Sequence, residues 1–138
     1  MEYYIKTTLS GDFDATIEKV IEALKTEGFG IITEIDMQAK LKEKLGVDFK
    51  KYRILGACNP AYAYKALQKE DKIGTMLPCN IVVQELGKNE IEVSAVDPIA
   101  SMMAIENPKL AKIAGEIKVK LERVIASLHS GVESFGLV

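Results

Sequence analysis

The strongest constraint on the fold lies near the C-terminus. Leu110, Ile113, Ala114, Ile117, Leu121, Val124, Ile125 and Leu128 recur at helical spacing and make one continuous apolar stripe. Lys112, Glu116, Lys120 and Arg123 lie off that stripe, with Glu116 and Lys120 at the favourable i, i+4 spacing. A helix of this kind must lay its stripe on another layer. A second amphipathic segment has the same character: Phe13, Ile17, Val20, Ile21 and Leu24 recur among Glu18, Lys19, Glu22 and Lys25. Asp12 is placed to cap it, and Gly28 to end it in a left-handed conformation.

Strand material lies before and between these two helices. Residues 2–9 are rich in β-branched and aromatic side chains. Phe29 to Asp36 is a further strand, with Glu34 and Asp36 on one face and Thr33 and Ile35 on the other. Asp36 then caps a short helix, Met37 to Leu45, that stops at Gly46. Phe49 to Cys58 is extended, and Asn59-Pro60 signals a helix start, with Asn as cap, running to about Lys69. Residues 73–78 are a connection or a short edge strand, because Pro78 cannot donate to a ladder. Asn80 to Leu86 and Glu90 to Val96 pair as a hairpin around Gly87-Lys88-Asn89. Ile91, Val93 and Ala95 alternate with Glu92 and Ser94, which implies one buried face. Asp97-Pro98 and Asn107-Pro108 are two more helix starts, and Ser130 to Val138 is expected as a tail. Interleaved helices and strands closed by a hairpin predict an α+β fold: a mostly antiparallel sheet with the two long helices packed on one face.

Composition narrows the function. At 138 residues the chain is expected to be one domain, residues 1–138, able to bury a core without disulfides or metal. The formal net charge is -2 and the 18 basic residues are spread along the chain, so no basic stripe for nucleic acid is expected. No apolar run approaches the roughly 18 residues that span a bilayer, so no membrane role is expected. The N-terminal Met1-Glu2-Tyr3-Tyr4-Ile5-Lys6 lacks the pattern of a signal peptide, which implies a cytosolic protein with its two cysteines as thiols.

Those cysteines stand in the two most distinctive segments. Cys58 is followed by Asn59 and Cys79 by Asn80. As candidate thiols, Cys58 and Cys79 are either small buried hydrophobes or a reactive pair. Twenty residues separate them, so the spacing has none of the specificity of a Cys-x-x-Cys motif. Arg53 is placed either to hold a ligand carboxylate or phosphate or to pair with Glu34 or Asp36. Capping accounts for Asn59, whereas Asn80 has no such explanation and is the better candidate for ligand contact. Two cysteines and His129, even with Glu34, Asp36 or Asp97, fall short of a zinc ligand set, so no metal is expected. No phosphate-loop, dinucleotide or hydrolase motif is present, and no cofactor or reaction is indicated.

Gly28-Phe29-Gly30, Glu34-Ile35-Asp36, Lys44-Leu45-Gly46, Tyr52-Arg53-Ile54-Leu55-Gly56-Ala57-Cys58-Asn59-Pro60, Leu77-Pro78-Cys79-Asn80 and Asp97-Pro98 together resemble one family, the domain of unknown function 302 (DUF302). The resemblance runs from about Tyr3 to the last helix. It implies an α+β fold of the TATA-binding-protein-like class and a homodimer, and it supplies no activity. Function belongs to sites and not to folds, so the class implies no DNA binding. Three readings follow. One is a binding module that holds a small polar or anionic ligand near the Cys58 and Cys79 segments, with Arg53, Asn59 and Asn80, and Glu34 and Asp36 nearby, as contacts. Another is a thiol-based redox enzyme or sensor using Cys58 and Cys79. The last is a scaffold that dimerises and presents an apolar surface to another protein.

Overall fold

The computed structural model describes residues 2–137, with the side chains of residues 2–129. Five strands, β1 (Tyr4–Ser10), β2 (Gly30–Asp36), β3 (Tyr52–Cys58), β4 (Cys79–Gly87) and β5 (Glu90–Val96), form one antiparallel sheet in the order β1-β5-β4-β3-β2. The helices are α1 (Phe13–Thr26), α2 (Met37–Leu45), α3 (Pro60–Lys69), α4 (Pro98–Met102) and α5 (Pro108–Leu137). This is the α+β architecture expected from the interleaved pattern.

Acidic side chains start three of the helices by accepting orphan backbone N–H groups. Asp12 accepts from Ala15 N at 2.9 Å, Asp36 from Ala39 N at 2.9 Å, and Asp97 from Ile99 N at 2.9 Å. Asp97 is buried and also meets Lys118 Nζ at 3.0 Å, which ties the start of α4 to α5. Gly46 ends α2 in the left-handed region, with φ of 68°, as its lack of a Cβ permits.

Alternation along the strands separates two faces. Leu55 and Ala57 of β3, Ile81 and Val83 of β4, and Ile91, Val93 and Ala95 of β5 are buried in one core, where α1 meets β4 and α5 meets β5. The apolar stripe of α5 is buried from Leu110 to Leu128 and meets α1, β1 and β5. On the opposite face, Tyr4, Lys6, Tyr52, Asn80, Gln84, Glu92 and Ser94 remain partly or fully exposed. An antiparallel sheet tolerates one wet face in this way.

Residues 73–78, expected as a connection or a short edge strand, are a connection: Asp71–Met76 forms a 3₁₀ turn, and the sheet's edges are β1 and β2. The backbone there satisfies itself locally, with Ile73 N bonded to Glu70 O and Leu77 N to Gly74 O, both at 3.2 Å, so it needs no strand partner. The segment from Ser130, expected as a tail, is taken up by α5, which runs on to Leu137. Phe49 to Lys51, expected as extended strand, precede β3 as a loop.

Candidate functional site

Sheet pairing brings the two cysteine segments together. Cys79 lies opposite Ala57 in the β3–β4 ladder, so Cys58 is one residue further along. Both cysteines line one small cavity with Phe29, Tyr62 and Leu77. Its volume is about 20 Å³, room for about one water. Both thiols are free, and Cys79 is buried. Burial, followed by the charge of the neighbouring Cys58, pushes the Cys79 thiol up to about 11.

That shift has a signed consequence. A thiol whose folded pKa lies above its ordinary 9.0 favours the fold while it is neutral. The contribution is complete below about pH 9 and fades as pH rises through about 11. We expect Cys79 to resist iodoacetamide at neutral pH in the folded protein and to react at an ordinary rate in denaturant. Mass spectrometry after timed quenching checks this, and fast native-state alkylation of Cys79 would contradict it.

Arg53 lies on the helix-covered face, at the end of the sheet where β2 and β3 approach α1. Its Nη1 meets Glu34 Oε2 at 2.9 Å and its Nη2 meets Asp36 Oδ2 at 3.5 Å. Its guanidinium carbon lies 5.8 Å from the centre of the Phe13 ring. Register explains the grouping: Asp36 is paired with Arg53, and Glu34 with Leu55, so all four side chains share a face. Asp36 thus serves both the α2 cap and the ion pair.

Asn59 overturns the capping expectation. It makes no side-chain cap bond to α3. Its Nδ2 instead donates to the Glu27 carbonyl at 3.2 Å, across 32 residues of sequence. The turn after α1 is shaped to receive it: Gly28 has φ of +86°, and a Cβ there would lie 3.0 Å from Asn59 Nδ2. Glu27 is anchored in turn by Arg123 of α5, whose Nε and Nη2 both reach Glu27 Oε1, at 3.1 and 3.0 Å. A cap needs an acceptor, whereas this clamp needs a donor. We therefore expect Asn59→Asp to cost about 1–2 kcal/mol, although aspartate is an excellent cap. Urea denaturation checks this, and a neutral or stabilising Asp would restore the capping role.

Asn80 lies on the opposite, helix-free face. It joins Tyr3, Tyr4, Tyr52, Gln84, Glu92 and Ser94 around an open hollow of about 420 Å³, floored by Val82 and Val96. That size is within the range of small-molecule sites. Gln84 is opposite Glu92 in the β4–β5 ladder. Gln84 Nε2 donates to Glu92 Oε1 at 3.0 Å, Ser94 Oγ donates to the same oxygen at 3.2 Å, and Lys6 Nζ stands 3.7 Å from Glu92 Oε2. Because the carboxylate needs donors, the Gln84 amide is oriented with Oε1 turned away from it. That Oε1 is buried and has no partner among the described residues.

Of the candidates named from sequence, Cys58, Asn59 and Cys79 thus gather at one end of β3 and β4. Arg53, Glu34 and Asp36 form a separate ion-paired group, and Asn80 stands across the sheet from both. Tyr4, Gln84, Glu92 and Ser94 were not among those candidates. Their signal was the outward half of the alternation, positions 80, 82 and 84 with 92 and 94, which share one face once the hairpin is in register. Among the described residues no group of three or more His, Cys, Asp or Glu side chains is placed to hold a metal ion, and no helix is long and apolar enough to cross a membrane.

These features define an α+β sheet protein with helices on one face and a polar-rimmed hollow on the other. The profile described as "Domain of unknown function DUF302" matches residues 5–128, and the chain belongs to that family. It is similar to the protein in "Crystal structure of uncharacterized conserved protein DUF302 from Bacillus stearothermophilus", at 30% identity and a TM-score of 0.84. The match covers 91% of this chain and 98% of that one. No curated protein matches the chain.

Proposed function

We propose that this chain is a single-domain, cytosolic, homodimeric binding module that holds a small polar molecule on the helix-free face of its sheet. The observation that carries the reading is the hollow at Asn80, the one candidate contact from sequence that faces open space of ligand size. The cavity at the cysteines has room for about one water. A neutral ligand suits the hollow better than an anion, since Glu92 is the charged side chain that lines it. Arg53, the expected partner for an anion, lies on the other face and is already paired. Two free thiols accord with a reducing compartment.

The thiol-based reading draws on the closeness of Cys58 and Cys79. Against it stands Cys79 itself, buried and held protonated at neutral pH, whereas the thiolate is the reactive species.

The chain has no tryptophan and five tyrosines, three of which (Tyr3, Tyr4 and Tyr52) line the hollow. Tyrosine emission therefore reports on this site. We expect a saturable change on titration with at least one of a panel of small neutral polyols and amides, and loss of that change in an Asn80→Ala, Gln84→Leu double variant. A panel without response, or a response indifferent to both substitutions, would remove the reading.

A further inference from the structure

A third sulfur stands at the cysteine cavity. The void of about 20 Å³ is lined by Cys58, Cys79 and Met102 together, with Phe29, Leu77 and Ile117 as apolar wall. The three sulfur-bearing side chains come from the end of β3, the start of β4 and the end of α4. Cys79 and Met102 are each 6% exposed, and Cys58 is half-buried. A charge on Cys58 is felt at Cys79, so the two thiols are neighbours. Buried cysteine and methionine ordinarily fill space. Here they converge on a gap of atomic size instead of closing it. Thiols and thioethers are weak hydrogen-bond partners, so these side chains hold a water poorly. No carboxylate or imidazole lines the gap. Sulfur donors without such ligands select soft ions such as Cu(I) over magnesium or calcium, and tetrahedral zinc needs a further ligand.

We propose that Cys58, Cys79 and Met102 form a three-sulfur site for one soft monovalent cation of the Cu(I) class. The site is separate from the hollow on the helix-free face, and its case does not rest on ligand binding there. Both thiols release their protons to solvent as the two metal–thiolate bonds form. Met102 Sδ adds a neutral third donor. The ion stays Cu(I), so no oxidant or reductant takes part. Its charge offsets one thiolate. The remaining negative charge lies beside the N-terminal end of α3, which follows Cys58 closely and has no side-chain cap. Cys58, the partly exposed member, gives the ion its way in.

Anaerobic competition for Cu(I) between the full chain and the chromophoric chelator bicinchoninate tests the proposal, with native mass spectrometry for stoichiometry. We expect one Cu(I) per chain, withdrawn from the chelator, and protection of Cys58 from iodoacetamide. Cys58→Ser should abolish the withdrawal. Met102→Leu keeps volume and apolar character, so circular dichroism should show an unchanged fold. It should nevertheless weaken the affinity at least about tenfold, the loss that even outer partners of a metal ion cause. Met103→Leu, 62% exposed and outside the cavity lining, should match the wild type. A chain that leaves all Cu(I) with the chelator would overturn the site. An affinity indifferent to Met102→Leu would remove the three-sulfur geometry, and one ion shared between two chains would place it at the surface of Cys58 and overturn the proposal as well.

Discussion

Gly56→Ala should be among the most damaging single substitutions in this protein, costing about 3 kcal/mol or preventing folding outright. Gly56 is buried in the middle of β3, opposite Thr33 on one side and Asn80 on the other. A Cβ there would overlap Thr33 Oγ1 and lie 2.7 Å from Pro78 Cγ. Neither neighbour is the loose end of a flexible side chain. Thr33 is set over Gly56 by the irregularity in β2 between Ile31 and Thr33, and Pro78 is a rigid ring at the entrance to β4. Thr33→Ala should rescue the variant only in part, because the contact with Pro78 remains. Gly30→Ala is the control: nothing lies within 4 Å of its added methyl, and its effect should stay within about 1 kcal/mol. Urea midpoints at unchanged slope give the comparison. Equal stability of the two alanine variants would contradict the packing described at Gly56.

Leu121→Ala carries the second large effect, through the opposite route of removing volume. Leu121 has 0% exposure at the middle of the buried stripe of α5, where the helix meets α1 and the sheet. Truncation leaves a cavity that close-packed neighbours fill only partly, at about 3–5 kcal/mol. For a chain of this length that corresponds to a fall in Tm of roughly 10–20 °C. Val119→Ala, two residues away and 47% exposed, should change Tm little. Similar losses at both positions would mean that the stripe does not face the core as described.

These two sites differ in how far sequence alone reveals them. Helical periodicity is local, so the buried stripe of α5 and the amphipathic α1 were legible, as were the β4–β5 hairpin and the caps at Asp12 and Asp36. The demands on Gly56 and Asn59 were not. Each arises from a neighbour distant in sequence: Thr33 and Pro78 for Gly56, and the Glu27 carbonyl for Asn59. Asn-Pro before a helix is a strong local signal, and here it concealed a donor's role in a long-range contact. The 3₁₀ turn at residues 71–76 escaped for a related reason, since its apolar residue, Ile73, is buried by the tertiary fold.

The hollow shows the same limit. It combines side chains from β1, β3, β4 and β5, whose order in the sheet differs from their order in the chain. Alternation marked Glu92 and Ser94 as outward, but only pairing of β4 with β5 sets Gln84 beside Glu92. Asn80 stood out because no cap explained it, and it lines this hollow. Arg53 drew notice as a charge within an apolar strand, and Glu34 and Asp36 account for much of that charge.

The most direct measurement is an amide chemical-shift map of the labelled protein, titrated with the strongest ligand found by tyrosine emission. Binding at the open face predicts shifts concentrated at Tyr4, Asn80, Val82, Gln84 and Ser94, including the side-chain amides of Asn80 and Gln84, with Cys58, Asn59 and Cys79 little changed. Shifts centred on Cys58, Asn59 and Cys79 instead would place function at the cysteines and contradict the assignment of the binding surface to the helix-free face.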